Sequence, residues 1–118
     1  IAVTVVDPRW VIPVPEAVVD LARDHRLVVT VEDNSRTGGI GSAVASALRD
    51  ADVDVPLRDF GVEKRFLHHA SIASTLAALG LTAQDVSRAV VETVARLDHV
   101  VETEPSHEDA TEDADPTA

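Results

Sequence analysis

The stretch from Leu27 to Val44, L-V-V-T-V-E-D-N-S-R-T-G-G-I-G-S-A-V, leaves little freedom in how this chain can fold. Leu27-Val28-Val29-Thr30-Val31 is short, almost wholly apolar and β-branched, the mark of a strand buried on both faces. Glu32 to Thr37 is polar, and Asn34 and Ser35 suit the hydrogen bonds of a turn. Gly38, Gly39 and Gly41 then open a segment whose apolar residues Ile40, Val44, Ala47 and Leu48 fall at helical spacing. Strand, acidic turn, glycine loop and helix make one α/β unit, and the other segments are expected to pack around it.

Upstream, Ala2-Val3-Thr4-Val5-Val6 reads as a first buried strand, ended by Asp7-Pro8. Pro13 and Pro15 prevent the strand from continuing or a helix from starting early, because proline fixes φ and removes a donor. From Glu16 the apolar positions Val18, Leu21, Ala22 and His25 predict an amphipathic helix to about His25. Downstream, the glycine-opened helix is expected to run to Arg49 or Asp50. Val55 to Phe60 is a third, weaker strand with Pro56 at its beginning or on a sheet edge. Ser71 can cap a short helix with Ile72, Leu76 and Leu79 inward, closed by Gly80. Thr82, with Asp85 three residues on, starts a longer helix striped by Val86, Val90, Val94 and Leu97. The crossovers are too long for hairpins, so the sheet should be mostly parallel with helices on both faces, an α/β fold.

With 118 residues, 45% hydrophobic and 26% charged, the chain suits one compact domain. It starts at Ile1 and contains no methionine, which predicts a piece of a longer protein. No apolar run is long enough to span a membrane, and no signal peptide is expected. The absence of cysteine excludes disulfides and thiolate chemistry and fits a reducing, cytoplasmic setting. Of the net charge of −11, seven units lie in residues 101–118, which have no Lys or Arg, and four on residues 1–100. The first 100 residues are thus expected to form the domain, and 101–118 a disordered acidic tail. No basic footprint for nucleic acid is present.

Candidate sites have competing readings. Gly39-x-Gly41 between strand and helix invites a phosphate, since glycine admits an anion close to the backbone and the helix N-terminus attracts it. Against this, the third glycine of a dinucleotide fingerprint would fall at Val44, and Glu32 and Asp33 lie just upstream. The structural alternative is a glycine loop that needs positive φ or close helix–strand contact. Glu32 and Asp33 could serve as a general base or, more commonly, accept backbone N–H bonds at a turn. His68 and His69 could suggest a metal, but neighbouring residues point about 100° apart on a helix and rarely share an ion. No ligand-spaced carboxylate or cysteine accompanies them. Lys64, Arg65, His68 and His69 make better sense as a patch facing another domain, with simple solvation as the alternative. Trp10, among prolines, belongs to a core edge or an interface.

Several of these motifs together resemble a known family. Asp7-Pro8-Arg9-Trp10 with Pro13, Thr30-Val31-Glu32-Asp33-Asn34-Ser35, Gly38-Gly39-Ile40-Gly41-Ser42-Ala43-Val44, and Arg65-Phe66 with His69 are similar to the C-terminal domain of the 1-deoxy-D-xylulose-5-phosphate synthases. These belong to the transketolase-like, thiamine diphosphate-dependent group. The resemblance covers about Val3 to Leu97, departs at Trp10, Pro15, Ala70 and near Val62, and leaves out the acidic tail. It implies a three-layer α/β/α domain with a mixed, mostly parallel sheet of about five strands. It also implies a parent transferase that joins pyruvate to glyceraldehyde 3-phosphate with loss of CO2, feeding isoprenoid, thiamine and pyridoxal synthesis. In that family, thiamine diphosphate and Mg²⁺ are held by the N-terminal and central domains, and the third domain supports architecture and homodimer contacts. On that basis no catalytic, cofactor-binding or metal residue is expected in this chain. Glu32, Asn34, Gly38, Gly39 and Gly41 are expected to shape a structural loop, and Lys64, Arg65 and His69 to face another domain.

Two rival readings remain at this level: the C-terminal domain of a 2-oxoacid dehydrogenase β subunit, which the N-S-x-x-G-G-x-G-S-A-V run opposes, and a stand-alone anion-binding regulatory module. The tail yields the first prediction. Its seven acidic residues repel one another, so deleting residues 102–118 should leave the melting temperature of the domain almost unchanged. A calorimetric drop of several degrees, roughly 1 kcal/mol for a domain of this size, would show instead that the segment docks.

Overall fold

A computed structural model describes residues 1–63 and 70–103. The elements are α1 (Glu16–Arg23), β1 (Val28–Ser35), α2 (Ile40–Asp50), β2 (Leu57–Val62), α3 (Ile72–Leu79) and α4 (Ala83–Thr103). β1 and β2 are parallel, joined through α2 as a βαβ unit. The register sets Val28 beside Leu57 and Val31 beside Phe60, then slips, so that Ser35 lies beside Val62.

The core lies where α2 covers this pair of strands. Val44 and Leu48 of α2, Val53 after it, and Val19 and Ala22 of α1 are buried together, with Val28, Ile40 and Leu57 packed against them. Leu48 is the most enclosed, at 3% exposure. Side chains alternate across a strand, so Val28, Thr30 and Glu32 face α2 while Val29 and Val31 face away. On the far face Phe60 is buried with the Arg58 guanidinium 5.6 Å from its ring centre, a cation–π arrangement. Val31 on the same face is exposed.

The terminal signals of the later helices behave as their chemistry requires. The Ser71 hydroxyl accepts the Ser74 N–H at 3.2 Å, capping α3. Gly80, at φ +69°, closes that helix as its amide donates to the Ala77 carbonyl and Leu81 to that of Leu76, the two bonds of a Schellman ending. The Thr82 hydroxyl accepts the Asp85 N–H at 3.2 Å and donates to the Asp85 carboxylate at 2.6 Å. The α4 stripe of Val86, Val90, Val94 and Leu97 is half-buried. Arg26, just after α1, forms an ion pair with Asp98 of α4.

Several expectations are corrected. Ala2–Val6 is not a strand here: no ladder forms, and Val5 is 90% exposed. β-branched residues favour a strand only where a neighbouring edge supplies hydrogen bonds, and no strand pairs with this segment among the described residues. Among the described residues the sheet has two strands, β1 and β2. Glu32–Ser35 is not a turn but the end of β1, because the chain keeps pairing with β2 as far as Val62 and Arg36 donates to the Val62 carbonyl. α1 buries Val19 and Ala22 while Leu21 is exposed, since α1 rests mainly on α2. Ile72 is 76% exposed, not inward. The α3 segment Ile-Ala-Ser-Thr-Leu-Ala-Ala-Leu is apolar on most sides, so spacing alone does not choose its buried face. Trp10 is largely exposed, which counts against the core-edge reading but not against the interface one. α4 continues to Thr103, three residues past the expected domain end, and the rest of the acidic segment lies outside the described residues.

Candidate functional site

The carboxyl end of a parallel sheet, where β1 gives way to α2, is the usual place for ligands in α/β folds. There the Glu32 side chain reaches across to the helix. Its Oε2 accepts the Ile40 N–H at 3.0 Å and its Oε1 the Gly41 N–H at 3.3 Å. The first N–H groups of a helix have no partner within the helix, and negative charge is favoured at that end of the dipole. A half-buried carboxylate of the chain itself thus occupies the position an external phosphate would take. Glu32 caps the helix; the general-base reading has no support in this geometry.

The three loop glycines serve different purposes. Gly38 has φ +73°, a left-handed conformation that side chains disfavour. At Gly39 a Cβ would fall 2.3 Å from the Glu32 carboxylate, so the cap needs hydrogen there. At Gly41, buried on the first turn of α2, a Cβ would fall 2.7 Å from Asp59 Cβ and 2.8 Å from Thr30 Oγ1. At Gly41 the helix thus lies too close to the strands for a side chain, and the glycine answers to contact rather than to backbone angle. The Thr30 hydroxyl is buried beside it with no hydrogen-bond partner among the described residues.

Beyond the cap, the Ser35 hydroxyl donates to the Thr37 carbonyl at 3.4 Å, and Asn34 is exposed near the end of β1. Arg36 Nε donates to Asp59 Oδ2 at 2.8 Å, tying the loop to β2. That hydrogen bond is the main reason the Asp59 carboxyl is held below, and the Arg36 guanidinium above, its ordinary value. The structure brings Glu32, Gly39 and Gly41 together at the start of α2, and adds Thr30, Arg36 and Asp59, which sequence reasoning missed. A charge pair 23 positions apart leaves no local signal. Lys64, Arg65, His68 and His69 lie outside the described residues. Among the described residues, no three His, Cys, Asp or Glu side chains gather closely enough to hold a metal ion, and no helix is long and apolar enough to cross a membrane.

A second feature is a groove of about 450 Å³ along the β1 edge opposite β2. It is lined by α1, by Val29 and Val31 of β1, and by Thr4, Val6 and Val11 of the N-terminal segment. His25 spans its rim, with Nδ1 2.7 Å from the Leu21 carbonyl and Nε2 2.9 Å from the Thr4 hydroxyl.

The described residues thus form a βαβ core whose glycine turn is capped from within the chain. Residues 1–86 match the family model described as the transketolase C-terminal domain, and the chain belongs to that family. It is 69% identical over 98 residues to 1-deoxy-D-xylulose-5-phosphate synthase 2 of Streptomyces coelicolor, covering 83% of this chain and 15% of that protein. A protein of the same name from Streptomyces avermitilis is 59% identical over 114 residues, 97% of this chain and 18% of the relative. The 1-deoxy-D-xylulose-5-phosphate synthase of Frankia casuarinae is 58% identical over 106 residues, 90% of this chain and 16% of its own length. The chain thus spans less than a fifth of these relatives. The Streptomyces avermitilis alignment reaches into the acidic segment that the motifs left out.

The site generates one direct prediction. A Gly41→Val change forces Asp59 and Thr30 apart and should cost about 1–3 kcal/mol, the range for overpacking a tight contact. Thermal melts of the domain without ligand would read it. A variant of normal stability, with a wild type that millimolar phosphate stabilises by several degrees, would instead identify a phosphate cradle.

Proposed function

We propose that this chain is the C-terminal domain of a 1-deoxy-D-xylulose-5-phosphate synthase, with an architectural role in that enzyme. The observation that carries the reading is 58–69% identity to proteins of that name over 83–97% of the chain. It favours this assignment over a 2-oxoacid dehydrogenase β subunit. The parent enzyme would be a cytoplasmic homodimer that condenses pyruvate with glyceraldehyde 3-phosphate and releases CO2, supplying isoprenoid precursor, thiamine and pyridoxal synthesis. Thiamine diphosphate and Mg²⁺ would be held by its N-terminal and central domains. The α2 terminus does not fit a diphosphate, because Glu32 already holds the Ile40 and Gly41 donors; the same contact speaks against a stand-alone anion-binding module. Titration calorimetry of the isolated domain with thiamine diphosphate and Mg²⁺ should give no saturable heat. Saturable micromolar binding would overturn the division of roles, whereas a full-length protein unable to condense the two substrates would overturn the family-based activity.

The sheet proposed for the full-length protein is larger than two strands. Ala2–Val6 is read as a further strand on the free edge of β1, toward the family's sheet of about five. Support comes from its β-branched composition and from the edge of β1 that β2 leaves unpaired; the Thr4 hydroxyl already contacts His25, just before that strand. Hydrogen exchange on the full-length protein should find the amides of residues 2–6 protected. Exchange at the rate of an unfolded chain would remove this strand from the fold.

Lys64, Arg65 and His69 are proposed to face another domain or the dimer partner, as a basic patch in a domain whose family supports dimer contacts. Neutralising all three should change the stability of the isolated domain by no more than about 0.5 kcal/mol, as for ordinary surface charges, yet weaken the full-length dimer. Sedimentation showing an unchanged dimer, with unchanged activity, would refute the contact.

A further inference from the structure

We draw no further inference here: the strongest candidate, the groove of about 450 Å³ between α1, the free edge of β1 and the Thr4–Val11 segment, carries nothing because nothing in the structure shows what covers it.

Discussion

The rest of the structure depends on one carboxylate. Glu32 stands near the end of β1 and accepts two amides of α2, spanning eight and nine positions of sequence. Hydrogen bonds to charged groups contribute roughly 1.5–3 kcal/mol each, more than neutral ones. These two also satisfy helix donors that the fold would otherwise leave to solvent or ligand. By joining the end of the strand to the start of the helix, Glu32 sets the path of the loop between them. Gly38 takes the left-handed turn that path requires, and Gly39 leaves the space that the carboxylate fills.

What the cap positions, the core then uses. α2 starts close against the sheet at Gly41, so Val44 and Leu48, one and two turns on, reach the layer formed by Val28 and Leu57. Val53 closes the end of that layer, and Val19 and Ala22 of α1 pack on it from outside. The Arg36–Asp59 pair ties the other side of the loop to β2. Arg36 is more than half exposed, so solvent screening keeps its contribution small. The loop is therefore held chiefly from the helix side, by groups that water reaches poorly.

Much of this was legible in the residues. The run Leu27–Val31, the glycines and the spacing of Ile40, Val44 and Leu48 determine a strand, a loop and a helix by local chemistry alone, and Ser71, Gly80 and Thr82 mark helix ends in the same way. What was misread depends on partners far along the chain. Glu32–Ser35 looks like a turn because it is polar, but pairing with β2 keeps it extended. Ala2–Val6 has strand composition, yet composition says nothing about whether an edge is engaged. Gly41 could have owed its glycine to backbone angle or to crowding; only the positions of Thr30 and Asp59 decide for crowding. Arg36 and Asp59 gave no signal at all, since nothing local marks them as a pair.

The contact at Gly41 has a consequence for how this region can vary. Thr30, Gly41 and Asp59 come from a strand, a helix and a second strand, yet they share one small volume with no slack. Bulk added at one must be removed at another, so substitutions among the three will not combine additively. Thr30 offers the easiest relief, because its hydroxyl fills space there without a hydrogen-bond partner among the described residues. The three positions act as a single steric unit, and the separation between α2 and the sheet is the quantity they jointly determine.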